Sequence, residues 1–223
     1  MSFQDYPDRE FLELAVARAI AADLGAALRA RGRATLALAG GTTPGPVFDI
    51  LSAIELDWAN VTVTVTDERC VPAHHDRSNA RLLSERLLRG HARAARHLIW
   101  WQDGDTPDSA AARVSGELAD HLPLDVVLLG MGTDAHTASL FPDAPELQAA
   151  LASDAAPVMA IHPASQPEAR LSLTAPVLKG ALAAHLMMTG DDKRKVWEDT
   201  HGKPATEAPI QAFAGVLNVH WAA

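Results

Sequence analysis

LDVVLLGMGTDAHTASLFP, residues 124–142, is the stretch on which the reading of this chain turns. Leu124 to Leu129, apolar but for Asp125, have the pattern of a strand buried on both faces of a parallel sheet. Gly130 and Gly132 then break it, and Asp134, His136, Thr137 and Ser139 follow at once. Ligands of open α/β sheets bind outside the carboxyl ends of the strands. A histidine delivered there has an unperturbed pKa near ~6.5, suited to moving protons at neutral pH. His136 is therefore read as catalytic. The bland alternative is a histidine satisfied in a capping loop, which the glycine flanks and the strand-end position disfavour. Gly130, Gly132 and Asp134 are expected to support the loop or an oxyanion.

Working outward, helical and strand-like segments alternate with short punctuated turns. Leu12, Val16, Ile20, Leu24 and Leu28 recur on one helical face, and this helix should end near Gly32. Thr35 to Ala39 reads as a strand, followed by Gly40-Gly41-Thr42-Thr43-Pro44. Thr43 as N-cap and Pro44 at the first helical position predict a helix through Leu51. Val61 to Thr66, VTVTVT, is a β-branched strand. A helix over Ser78 to Leu88, a strand over His97 to Trp101 and a helix over Pro107 to His121 lead to the central strand. Further strands are expected at Val158 to His162, Arg170 to Leu173 and His185 to Thr189. Helices are expected near Pro176 and Asp191, with a last apolar segment at Val216 to Trp221. Such alternation implies an α/β fold: a mainly parallel open sheet with helices on both faces. With 223 residues and no linker-like composition shift, residues 1–223 are expected to form a single domain.

A formal net charge of −9 and the lack of a Lys/Arg-rich run argue against nucleic acid or an anionic membrane as the main partner. The single cysteine, Cys70, excludes an internal disulfide and a zinc-type cysteine cluster. The opening MSFQDYPDRE lacks the apolar core of a signal peptide, and no apolar run of ~18 residues could cross a bilayer. The expectation is a cytoplasmic protein. The tryptophans are scattered, which suits core or interface positions rather than a base-stacking platform.

Three further groups sit at expected strand ends. Gly40, Gly41 and Thr42 lie where a strand, a glycine turn and a helix N-terminus meet, so they form either an anion cradle or a capped tight turn. The stretch is neither a P-loop nor GxGxxG, so a small phosphoester suits it better than a nucleotide. Asp67-Glu68-Arg69 follows VTVTVT directly. In isolation it is a solvated loop; at a sheet edge Arg69 can fork onto phosphate or an oxyanion, and Asp67 can orient a histidine or a water. Arg170 and Lys193 are further phosphate contacts or plain surface cations. His74-His75-Asp76 carries metal-ligand types, but adjacent side chains rarely converge on one ion, so no metal is expected.

The ordered motifs LALAGGTTP, VTVTDERCVP with Ser78-Asn79-Ala80, GMGTDAHTASLFP, RLSLTAPVL and TGDDKRKVW together resemble the 6-phosphogluconolactonase family across nearly the whole chain. The resemblance implies the fold shared with sugar-phosphate deaminases and isomerases, and hydrolysis of 6-phospho-D-glucono-1,5-lactone without a cofactor in the oxidative pentose phosphate pathway. It implies His136 as the catalytic histidine, Asp67 and Arg69 in the active site, and Gly41, Thr42, Arg170 and Lys193 around the phosphosugar. The expected partner is that small lactone. The expected chemistry is attack of water on the lactone carbonyl with His136 as general base, and no acyl-enzyme, since no G-x-S-x-G elbow accompanies Ser139. The alternatives are a sugar-phosphate deaminase or isomerase on the same scaffold and a non-catalytic phosphosugar sensor. Against the first, the deaminases resemble GIGxDGHIAFNEP, whereas Ser139-Leu140-Phe141-Pro142 follows here. Two departures stand out. Ala135 occupies a position where the family has glycine, which would cost on the order of 1–2 kcal/mol if φ is positive there. The tail EAPIQAFAGVLNVHW matches only loosely, while Thr42 for the common serine keeps the hydroxyl.

Overall fold

The computed structural model describes residues 2–223. The first helix, α1 (Arg9–Arg31), is capped by the Asp8 carboxylate, which accepts from the Phe11 N–H, and ends at Gly32 with φ 70°. Only glycine takes that left-handed turn without cost. Leu12, Val16, Ile20 and Leu24 are buried along one side of α1, as their spacing requires.

The main sheet contains seven strands: β1 (Ser2–Asp5), β2 (Ala34–Leu38), β3 (Val61–Val65), β5 (Arg96–His97), β6 (Val126–Leu129), β9 (Ala183–Thr189) and β10 (Leu217–Ala222), in the order β1-β10-β9-β6-β2-β3-β5. Every neighbouring pair runs parallel. β2, β3 and β6 are buried at every position, because layers cover both faces. α1 is one of those layers, lying against β2, β6, β9 and β10. From β2 the chain proceeds outward to β3 and β5, then returns to β6 on the other side. The order reverses between β2 and β6, and that reversal opens a crevice at their carboxyl ends.

The expected strands over 158–162 and 170–173 form, but outside this sheet. β7 (Val158–Ile161) and β8 (Arg170–Leu173) pair antiparallel, and β8 pairs antiparallel with β4 (Asp67–Arg69), giving a separate three-stranded sheet. β4 is the continuation of β3 beyond a break at Thr66, whose N–H still reaches Leu38 O while its carbonyl accepts from Leu173 N. One residue thus hands the chain from one sheet to the other. α4 (Pro107–Ala119) packs against β7 and β8.

Other expectations are corrected in detail. The second helix, α2 (Gly45–Ser52), begins one residue later than expected: Pro44, with φ −81° and ψ −5°, is its cap, and no side chain caps it, so Thr43 is free of that role. The strand expected over 97–101 shortens to β5, paired with Thr62 and Val63 of β3; beyond it Leu98 N still reaches Val63 O, and Trp100 Nε1 donates to Thr64 Oγ1. β1 was not anticipated, being four residues long and mostly exposed. The helix α5 (Leu147–Leu151) is likewise too short to carry a period. α3 (Asn79–Arg86), α6 (Ala175–Lys179) and α7 (Asp191–Asp199) lie where expected, α3 capped by Ser78 Oγ. Trp58, Trp100 and Trp197 are fully buried core residues. No described helix is long and apolar enough to cross a membrane.

Candidate active site

A cavity of about 260 Å³ occupies the crevice where the strand order reverses. Its walls come from the carboxyl ends of β2 (Gly40, Gly41, Thr43), β3 and β4 (Asp67, Arg69), β6 (Gly130, Gly132) and β9 (Thr189), with His136, Asn79 and Lys193 closing it.

His136 is held on three sides. Its Nδ1 lies 2.5 Å from Asp134 Oδ1, its ring stacks on Phe141 with centroids 4.1 Å apart, and its carbonyl accepts from Gly132 N at 2.8 Å. Burial pushes the Asp134 carboxyl up, but the hydrogen bond and charge of His136 outweigh it and leave Asp134 below the usual carboxylate range. Asp134 is therefore an ionised acceptor for an Nδ1–H, and Nε2 has no hydrogen-bond partner among the described residues. Gly132 is obligatory here: a Cβ on it would fall 2.1 Å from His136 Nδ1 and 2.4 Å from Asp134 Oδ1. Ala135 does take the left-handed conformation, φ 63°, as does Ala138 at φ 49°. The Ala135 carbonyl is tied down by Ile210 N at 3.1 Å, so the divergent tail braces the strained loop.

Asp67 stands across the cavity, buried, with Ser139 Oγ donating to its Oδ2 at 2.6 Å and Thr66 Oγ1 to its Oδ1 at 3.2 Å. Its hydrogen bonds are to these hydroxyls; the group orienting His136 is Asp134. Ser139 is fully buried and committed to Asp67, which suits a strut and not a nucleophile. Arg69 Nη1 donates to Arg77 O at 2.6 Å. Glu68, beside it, is a structural anchor: its carboxylate accepts from the N–H groups of Arg69, Asn79 and Ala80 and from Ser78 Oγ.

Lys193, in the first turn of α7, reaches back so that Nζ donates to Met131 O at 2.7 Å. Burial lowers its pKa, against the charge of Asp134. Two expected contacts are not on the wall. Thr42 is exposed and does not line the cavity; Thr43 does. Arg170 is 2 % exposed and pairs in register with Arg69 across the antiparallel ladder, with Nη2 donating to Gln166 Oε1. Asn79 was not singled out as a site residue; the signal for it was the Ser78 cap, which starts a helix at the cavity. Among the described residues no cluster of three or more His, Cys, Asp or Glu is placed to hold a metal; Asp76 pairs with Arg81, and His75 Nδ1 accepts from Arg77 N.

Fold and site together define a class: parallel α/β proteins with a cavity at the strand-order reversal, walled here by a histidine, a carboxylate and two cationic side chains. Residues 7–221 match the family model for glucosamine-6-phosphate isomerases/6-phosphogluconolactonase. A protein named 6-phosphogluconolactonase from Rhizobium meliloti (strain 1021) is 42% identical over 219 residues, covering 93% of this chain and 94% of the relative. Another of that name from Mesorhizobium japonicum is 41% identical over 224 residues, covering 97% and 93%. The crystal structure of a 6-phosphogluconolactonase from Shewanella baltica OS155 superposes with a TM-score of 0.96 at 33% identity, covering 100% of this chain and 98% of that one. The chain belongs to the glucosamine-6-phosphate isomerase/6-phosphogluconolactonase family.

Proposed function

We propose that the chain hydrolyses 6-phospho-D-glucono-1,5-lactone to 6-phosphogluconate with His136 as general base. The similarity to 6-phosphogluconolactonases along nearly the full length supports the reaction. The observation that carries the mechanism is the Asp134–His136 pair, which holds the imidazole at the cavity wall with Nδ1 engaged by the carboxylate.

His136 Nε2 takes a proton from water as the water oxygen bonds to the lactone carbonyl carbon. The carbonyl π electrons move onto oxygen, and the resulting oxyanion lies near Arg69 or the backbone N–H groups of the glycine-rich loop. When the oxyanion collapses, the bond from that carbon to the ring oxygen breaks, and His136 returns the proton to the departing oxygen. Arg69 and Lys193, at the cavity wall, supply the positive charge a phosphate requires, and holding the phosphate orients the lactone for attack. The buried Ser139 leaves no exposed hydroxyl beside His136 to form an acyl-enzyme.

The test is acid release from freshly generated lactone, corrected for spontaneous hydrolysis. His136→Ala should lower kcat by ~10²–10⁴ with modest change in product affinity. An unchanged kcat would remove His136 from the mechanism, and no acceleration by the wild type would remove the lactonase reading.

A further inference from the structure

Asn79 is the best-fixed polar side chain of the cavity that the mechanism leaves unused. It occupies the first turn of α3 and is 3 % exposed. Its backbone N–H is bound to Glu68 Oε1 at 2.8 Å, and its Nδ2 donates to Asp67 O at 2.8 Å. The second bond settles the amide orientation, since only the nitrogen can donate to a carbonyl. The amide lies flat against Gly40, where a Cβ would fall 2.0 Å from Oδ1 and 2.4 Å from Nδ2. Among the described residues no donor reaches Oδ1, and Asn79 lines the cavity.

The proposal rests on the lactonase reading and extends it to recognition of the ring. Arg69 and Lys193 are donors only, which suits a phosphate and leaves the O–H protons of the ring hydroxyls at C2, C3 and C4 without an acceptor. A buried hydroxyl that loses water needs an acceptor in return. We infer that Asn79 Oδ1 is a sugar-hydroxyl acceptor, which with the Asp67 carboxylate selects polyhydroxylated lactones over deoxygenated ones. Both acceptors are held in place before substrate arrives, Asp67 by Ser139 and Thr66, Asn79 by the Asp67 carbonyl and the Glu68 carboxylate. A site built to accept a hydrogen bond rejects the analogue lacking the donor, because its acceptor would be buried unpaired.

The experiment measures kcat/KM for the parent lactone and for its 2-deoxy, 3-deoxy and 4-deoxy counterparts, with wild type and Asn79→Ala. Wild type should favour the parent over at least one deoxy lactone by roughly 10- to 100-fold, and Asn79→Ala should lose that preference to within about threefold while remaining active. A purely structural role for Asn79 would lower all four values together, leaving the preferences intact, and that result overturns the inference. So does a wild type that treats all four lactones alike, with the lactonase reading still standing; failure to turn over the parent lactone refutes that reading itself. If Asn79→Ala does not fold, Asn79→Ser takes its place: its side chain is too short to bring an acceptor to the position of Oδ1, so it must lose the wild-type preference, and retention of the preference overturns the inference.

Discussion

His97 provides an acid-sensitive element far from the chemistry. It sits on the edge strand β5, largely buried, with Nε2 enclosed and unpartnered. Burial alone lowers its pKa from 6.5 to about 4. The folded state therefore resists protonation that the unfolded chain accepts below pH 6.5, so between pH 6.5 and 4 the unfolded state binds more protons. Stability must rise with pH in that window and fall as the solution is acidified. The full shift, from 6.5 to about 4, corresponds to about 3 kcal/mol. At pH 5 the unfolded chain is almost fully protonated at this site and the folded chain about one tenth so, which gives a loss of about 2 kcal/mol relative to pH 8. His97→Leu removes the titration without stranding a partner, since Nε2 has none. Urea unfolding of wild type and His97→Leu at pH 8 and pH 5 should show the wild type losing about 2 kcal/mol more than the variant. Parallel losses, within about 0.5 kcal/mol, would show that His97 is solvated in the folded protein and would refute the reasoning.

Two further outcomes follow from the loops around the cavity. Glu68→Gln places an amide NH₂ among three backbone N–H donors and should destabilise the protein by about 2–4 kcal/mol in urea unfolding; a cost below about 1 kcal/mol would show that α3 does not depend on the carboxylate. Ala135→Gly relieves a left-handed alanine, worth about 1–2 kcal/mol, but gives up a buried methyl worth about 0.8 kcal/mol and loosens the unfolded chain by about 0.4–1 kcal/mol, so stability should stay within about 1 kcal/mol of wild type and kcat should hold; a kcat loss beyond about tenfold would show that the methyl itself positions His136.

What could be read from the sequence follows the range of the forces involved. Period and capping are local, so α1, α3, α4 and the central strands were legible from spacing, glycines and hydroxyl caps. The departure of β7 and β8 into a second sheet was not, because Val158 to Ile161 and Arg170 to Leu173 have the composition of strands in either sheet. Their placement is decided by β4, which exists as a strand only because the chain turns at Thr66 to meet Leu173. The same limit governs the site. His136, Asp67 and Gly132 were legible because strand-end position confines them to the crevice. The partner of His136 was open, and local geometry decided it: Asp134 lies two residues away on the same glycine-cleared turn, so it reaches Nδ1 without any distant element moving. Asp67 is instead committed to Ser139, 72 residues on, a pairing that only the meeting of two strand ends creates. Arg170 shows the converse. Its residue type suited a phosphate contact, yet strand register sets it opposite Arg69 and buried, and its guanidinium does not line the wall. Ala135 joins the two levels. Its left-handed φ is a local cost visible from the motif, but what sustains it is the Ile210 N–H, delivered by a tail segment whose sequence gave no sign of touching the loop. Strain of this kind persists only where the surroundings hold it, so the tail and the turn that carries His136 act as one unit.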